Sequence, residues 1–286
     1  MDGYAPIAAY LGQEGWCLAC ELREGRQHCQ SEFLYTLERV IPNARKLTSL
    51  PLLVRLDSGH DARETRIALK QHAADFILKW NPRRHDPQIW LQQAEQLGQW
   101  ESPRPGKRVT TFSVEEEATV EGNPVRFRRV MRVIERTIDK HGQTLLIPDI
   151  EMEGWWTSLD RAKFDDETII ALYRDHGTSE QFHSEFKTDL DIERLPSGKF
   201  DTNNLILTMA ALGYNILRWI GLISLTGEIS PVRHPAKRRR LKTVIQELMY
   251  LAARLIASGH RLKLRFSRHC PGFPAFQLAY DRLGFG

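Results

Sequence analysis

The apolar positions of the chain change rhythm several times, and each change predicts an element. Residues 4–11 (YAPIAAYL) and 16–23 (WCLACELR) are short apolar and aromatic runs separated by Gly12-Gln13-Glu14-Gly15, the pattern of a β-hairpin. A helical period follows over 31–47 and ends near Thr48. Leu52 to Leu56 reads as a buried strand that stops at Asp57-Ser58-Gly59. Asp61, with Glu64 three places on, predicts a capping box opening a helix to about His72, and Ala74–Trp80 is the next strand. This β-α-β unit places Asp57 at the carboxyl end of a strand, where open α/β sheets hold their chemistry.

From Asn81 to about Asp160 the pattern is different. After a polar passage rich in proline, the runs 108–114, 117–120, 125–135 and 144–147 alternate as β-strands do, with turns at Gly122-Asn123 and His141-Gly142. Helical spacing returns over 165–176, 179–193 and 204–224, and a last helix is predicted over 241–258. Residues 204–224 are apolar nearly all round, which predicts a core helix with Asn203 and Asn204 as its caps. Asn215 and Arg218 interrupt this stretch, so a buried helix fits it better than a membrane span. In 244–256 the stripe Val244, Leu248, Leu251 and Leu255 predicts packing on the core.

Composition narrows the class. With 42% hydrophobic residues among 286 and only four cysteines, a disordered chain and a disulfide scaffold are both excluded. Net charge is only +4, but its distribution is uneven. Eleven basic residues stand against one acid between Pro231 and Cys270, whereas nine acids stand against Arg174 and Lys187 between Asp165 and Glu193. A basic tail beside an acidic cluster suits a polyanion handled at a metal-carboxylate centre. Cys17-x2-Cys20 with His28 and Cys29 has a superficial zinc look, but residues three apart on a strand face opposite ways, so free thiols are expected.

The densest chemistry lies between Tyr173 and Lys187. Glu180 and Lys187 are two helical turns apart with Ser184 between them, so on a regular helix they share one face, where a carboxylate and an ammonium can hold a divalent metal beside a phosphate. Tyr173-Arg-Asp-His176-x3-Glu180-x6-Lys187 resembles the Y-x2-R-x3-E-x6-K signature of the DDE transposases of bacterial insertion sequences, with His176 standing where that family usually has arginine. Leu53-Val-Arg-Leu-Asp57-Ser-Gly59 is similar to the strand of that family's second aspartate, and Gly3–Gly12 and Arg23–His28 are similar to its core strands.

The resemblance implies an α/β fold: a ribonuclease-H-like core (1–80 and 161–228) interrupted by a β-rich insertion (81–160), followed by a basic helical segment (229–286). It implies that Asp57 and Glu180 are catalytic carboxylates holding Mg²⁺ or Mn²⁺, two ions about 3.5–4 Å apart in an intact member, for phosphodiester displacement. It further implies DNA contacts from Tyr173, His176 and Lys187, a homo-oligomer on DNA, and base stacking by an insertion-domain tryptophan, with Trp156 as the candidate, the roles of Trp155 and Trp156 left open and core packing expected for at least one of the pair. Lys237, Arg238, Arg239, Arg240 and Lys242 are expected to meet phosphates. The family carries a first aspartate upstream of its Gly-Tyr-x-Pro segment. Only Met1 and Asp2 precede that segment here, so the chain is expected to lack that ligand and its strand, and to be inactive alone. The alternative is a non-catalytic DNA-binding remnant.

Overall fold

The structure is a computed structural model that describes residues 3–83, 85–120, 122–175 and 177–284. The chain divides into two compact units, one of Met1–Gln27 with Gly177–Gly286 and the other of His28–His176.

The chain opens with the expected hairpin. Strands β1 (Ile7–Leu11) and β2 (Trp16–Glu21) pair antiparallel as a two-stranded sheet, with Gly12 and Gly15 both at positive φ in the turn. One detail departs from the sequence reading. A register shift at Ala9/Tyr10 leaves Leu18 unpaired, so Cys17 and Cys20 lie opposite Tyr10 and Ala8, two residues of one face. The bulge thus overrides the simple alternation that set the two cysteines on opposite faces. Burial pushes their thiols up, Cys17 to about 11 and Cys20 to about 12. At pH 8 iodoacetamide should therefore alkylate both roughly a hundredfold more slowly in the folded chain than an exposed thiol. Equal rates by mass spectrometry would show that the hairpin is not buried in this way.

The second unit begins with helix α1 (Phe33–Leu47), then strand β3 (Leu53–Leu56), helix α2 (Arg63–Gln71) and strand β4 (Asp75–Lys79), which runs parallel to β3. The β-α-β reading holds, but the capping box does not form. Ala62 is the N-cap of α2 without a side-chain bond, because the buried Asp61 carboxylate is drawn away to accept the Asn81 backbone N–H at 2.8 Å. The proline-rich passage contains a helix that the sequence reading passed over, α3 (Pro87–Leu97). Its signal was present: Asp86 accepts the Gln88 N–H at 2.9 Å, Pro87 stands at the first turn, and Trp90 and Ala94 are buried four residues apart.

Strands β5 (Glu101–Arg104), β6 (Lys107–Val120), β7 (Asn123–Ile138) and β8 (Thr144–Thr157) follow as an antiparallel meander. The short runs read from sequence are segments of these longer strands. β8 also pairs with β4, giving one six-stranded mixed sheet in the order β3-β4-β8-β7-β6-β5. Residues 81–160 therefore extend the sheet that carries Asp57. Helix α4 (Asp166–Arg174), capped by the Asp165 carboxylate on the Thr168 N–H at 2.8 Å, packs Ile169 and Ile170 against Ile77, Val130 and Trp155.

The first unit resumes with helix α5 (Gly177–Ser184), which passes into a π-helical turn at Glu185–Asp189. Helix α6 (Phe200–Ser224) is the long apolar helix, and by length and composition it could cross a membrane. Its buried face is tied to the rest of the unit through polar groups. The Asn215 amide accepts from the Cys17 N–H at 2.9 Å and donates to the Cys17 carbonyl at 2.8 Å, pairing with β2 much as another strand would. Contrary to expectation, α6 is not buried all round. Leu205, Met209, Leu212, Ile216 and Trp219, spaced by four and three, form an exposed stripe, because the surrounding elements cover only the side of Leu207, Tyr214 and Leu217. Nor do the two asparagines cap it. Asn203 is fully buried in the first turn and clamps Ser197 through its N–H and carbonyl, and Lys199 is the N-cap.

The largest departure is at the C-terminal end. The predicted helix 241–258 is one short turn, α7 (Leu241–Val244), with a π turn at Ile245–Met249. Strands β9 (Ala253–Ser258) and β10 (Arg261–Phe266) then form an antiparallel hairpin, and helix α8 (Phe273–Arg282) ends the chain's elements. Gly259 and His260 both take positive φ, as a two-residue turn twisting with its strands requires. The helical stripe was real only as far as Leu248. Beyond it the period-two alternation of 253–266 prevails, and Leu255 is exposed.

Candidate active site

Asp57 lies one residue beyond β3, with extended backbone. Its Oδ1 accepts the Gly59 N–H at 3.0 Å, which closes the short 3₁₀ turn Ser58–His60. The side chain is 72% exposed, and its Oδ2 makes no hydrogen bond with a described residue. The turn is pinned from behind. The Cys29 thiol donates to the Gly59 carbonyl at 2.9 Å, and a Cβ on Gly59 would stand 2.8 Å from that sulfur. His60 stacks on Phe33 with ring centroids 3.9 Å apart, its Nε2 3.9 Å from Asp57 Oδ1. One carboxylate oxygen is thus oriented by backbone while the other faces outward.

Tyr173 belongs to the same neighbourhood. Arg55 on β3 donates to the Leu172 carbonyl at 3.0 Å, tying the end of α4 to the strand that delivers Asp57. Burial, then the negative charges of Asp57 and Glu153, push the Tyr173 hydroxyl up to about 12. It therefore stays protonated at neutral pH and can donate a hydrogen bond to an anion. Lys79, at the end of β4, pairs with Glu153 at 2.6 Å and lies over the Trp155 ring at 4.1 Å, and Arg174 reaches Glu153 at 3.5 Å. The sequence reading missed Lys79, Glu153 and Arg174. The parallel register Leu56↔Leu78 puts Lys79 beside Asp57's position, so the strand-end rule that selected Asp57 could also have selected Lys79.

Glu180 is an exposed residue of α5, in the other unit. Lys187 is exposed too, but it lies in the π turn. The wider turn shifts the phase of Lys187 relative to Glu180 from that of a regular helix. Neither makes an ion pair with a described residue. His176 and Asp2 lie outside the described residues.

A family model of the transposase DDE domain, group 1, matches residues 1–284. The chain belongs to that transposase family. No curated protein matches it. Membership supports a transposase function with DNA as partner, and DDE transposases generally use divalent metals. Asp57 and Glu180 suit such an ion in donor chemistry, since both are exposed carboxylates and hard cations take oxygen ligands. Among the described residues no three His, Cys, Asp or Glu side chains gather as a metal cage.

The basic run of this transposase is engaged with its acidic run. Arg238 donates to Glu185 at 2.5 Å and to Gln181 at 2.8 Å, and lies over the Phe182 ring at 4.7 Å. Arg240 forks onto Asp189 at 2.9–3.1 Å, and the Lys242 N–H donates to the same carboxylate. Arg239 is buried, donating to the Leu225 and Val232 carbonyls. Within 237–242, Lys237, which reaches Gln13 at 3.3 Å, and Lys242 have exposed side chains with no carboxylate partner among the described residues. Trp155 and Trp156 are both buried. Arg66 lies 3.7 Å and Arg129 4.6 Å from the Trp156 ring centroid, so that ring has no free surface for a base in this structure.

Proposed function

We propose that this chain is a transposase that cuts and joins DNA at the ends of an insertion element, with Asp57 and Glu180 as its metal-holding carboxylates. The observation that carries this reading is the exposed, backbone-oriented Asp57 carboxylate at the end of β3 beside a protonated tyrosine, in a chain matched over residues 1–284. The parallel β3-α2-β4 unit supports a ribonuclease-H-like core. A divalent ion held there would supply Lewis acidity to the phosphoryl group and favour ionised water. Tyr173 donates a hydrogen bond from its hydroxyl to a non-bridging phosphate oxygen, and Lys187 offers an exposed ammonium to the strand. In hydrolysis the water oxygen bonds phosphorus and the P–O3′ bond breaks, freeing a 3′-hydroxyl. That hydroxyl then bonds a target phosphorus and displaces a target 3′-oxygen.

The test uses the full chain, a supercoiled plasmid carrying the element's flanking ends, and Mg²⁺ or Mn²⁺. Nicking and joining should fall about a hundredfold or more in Asp57→Asn and in Glu180→Gln. Thermal stability should stay within about 0.5 kcal/mol, because both side chains are exposed. Undiminished nicking by Asp57→Asn would remove Asp57 from the chemistry. DNA binding without any nicking by the natural chain would leave the binding-only reading in its place.

A further inference from the structure

We propose that the β9–β10 hairpin is a DNA-docking ribbon whose cationic face enters a groove of duplex DNA. The inference rests on the transposase reading for its partner class and adds a binding surface that the signature residues do not include. The antiparallel register sorts the side chains cleanly. Arg261, Lys263 and Arg265 of β10 lie opposite Ser258, Ile256 and Arg254 of β9, so four cations share one face, with no acid anywhere in 253–266. All four are exposed, and none forms an ion pair with a described residue.

The contrast with the neighbouring basic run is what gives this weight. Arg238 and Arg240 have spent their charge on Glu185 and Asp189, whereas the ribbon's cations face water. The opposite face, with Leu255, Leu262 and Leu264, is also exposed, so the ribbon projects from its unit rather than packing down. Its base is held where Phe266 meets Phe273 and Phe276 of α8, with centroids 5.3 and 5.0 Å apart. Six residues per strand make a ribbon about 20 Å long. A two-stranded ribbon fits the major groove, which is about 12 Å wide. A row of arginine and lysine on such a ribbon favours phosphate contacts independent of sequence, each releasing counterions.

The experiment measures binding of the full chain to a 30-base-pair duplex of arbitrary sequence by fluorescence anisotropy, from about 50 to 200 mM NaCl. Removing three phosphate contacts with the triple variant Arg261→Ala, Lys263→Ala, Arg265→Ala should make the slope of log affinity against log salt shallower by about 2.7. The charge-conserving pair Arg261→Lys, Arg265→Lys should keep the natural slope, and Leu262→Ser should leave it unchanged because that residue lies on the other face. An unchanged slope in the triple variant, with the natural chain binding normally, overturns the ribbon and leaves the transposase reading intact. A natural chain that binds no duplex at all overturns both the ribbon and that reading. If the three cations control adsorption to phosphatidylglycerol vesicles but not the DNA slope, the surface serves a membrane and the proposal is wrong.

Discussion

Glu185→Ala is expected to destabilise the unit formed by 1–27 and 177–286 by about 3–5 kcal/mol, the usual loss when one partner of a buried ion pair is removed. Glu185 and Arg218 are each only 1% exposed and meet at 2.5 Å. The carboxylate also receives Arg238 at 2.5 Å and the Leu241 N–H at 3.2 Å, while Arg218 donates onward to the Arg239 carbonyl and the Tyr214 hydroxyl. Truncating the acid strands a guanidinium in a site with too little water to solvate it. It also removes one of the two carboxylates that tie α7 and the basic run to the π turn, leaving the bonds to Asp189. A urea titration followed by tryptophan fluorescence should show the midpoint falling sharply. A shift below about 1 kcal/mol would mean that the guanidinium groups reach solvent and that the network contributes little. Glu185→Gln should be intermediate, keeping the shape and one acceptor but losing the charge.

Trp156→Ala is expected to cost a similar 3–5 kcal/mol, as for other buried tryptophans cut to a methyl. Trp156 is 3% exposed, and Arg66 is held between its ring and that of Phe127, at 3.7 and 5.4 Å from the two centroids. Removing the indole opens a cavity and takes from the buried Arg66 and the half-buried Arg129 one of the rings they lie over. The measurement also discriminates roles. If the variant kept its unfolding midpoint and lost affinity for DNA ends alone, Trp156 would be a stacking platform and the packed arrangement would be incorrect. A loss of both in proportion to the unfolded fraction supports packing.

Much of this fold is legible from local pattern. The hairpin at the start, the β-α-β unit and Asp57 at a strand end follow from short-range rules, because turn glycines and alternation act over a few residues. The same rules failed where a tertiary partner competed. Asp61 leaves its helix for the Asn81 N–H, and α6 keeps an apolar stripe in the open because elements pack on only one of its sides. Helical spacing at Val244 and Leu248 and strand alternation after Ala253 overlap in one segment, and the Gly259-His260 turn decides between them.

By itself the sequence pointed to the transposase family, since identity and spacing are properties of the chain, and it placed Asp57 at a strand end and Tyr173 and Glu180 on helices. Tertiary structure alone decided which charges are available. The acidic and basic runs looked like two surfaces, one for metal and one for DNA, yet Glu185 and Asp189 draw in Arg238 and Arg240. Ion pairing falls off over a few ångströms, so it depends on which faces the fold brings together and not on how many charges a segment contains. The cations left exposed include those of a ribbon whose first strand local periodicity had assigned to a helix.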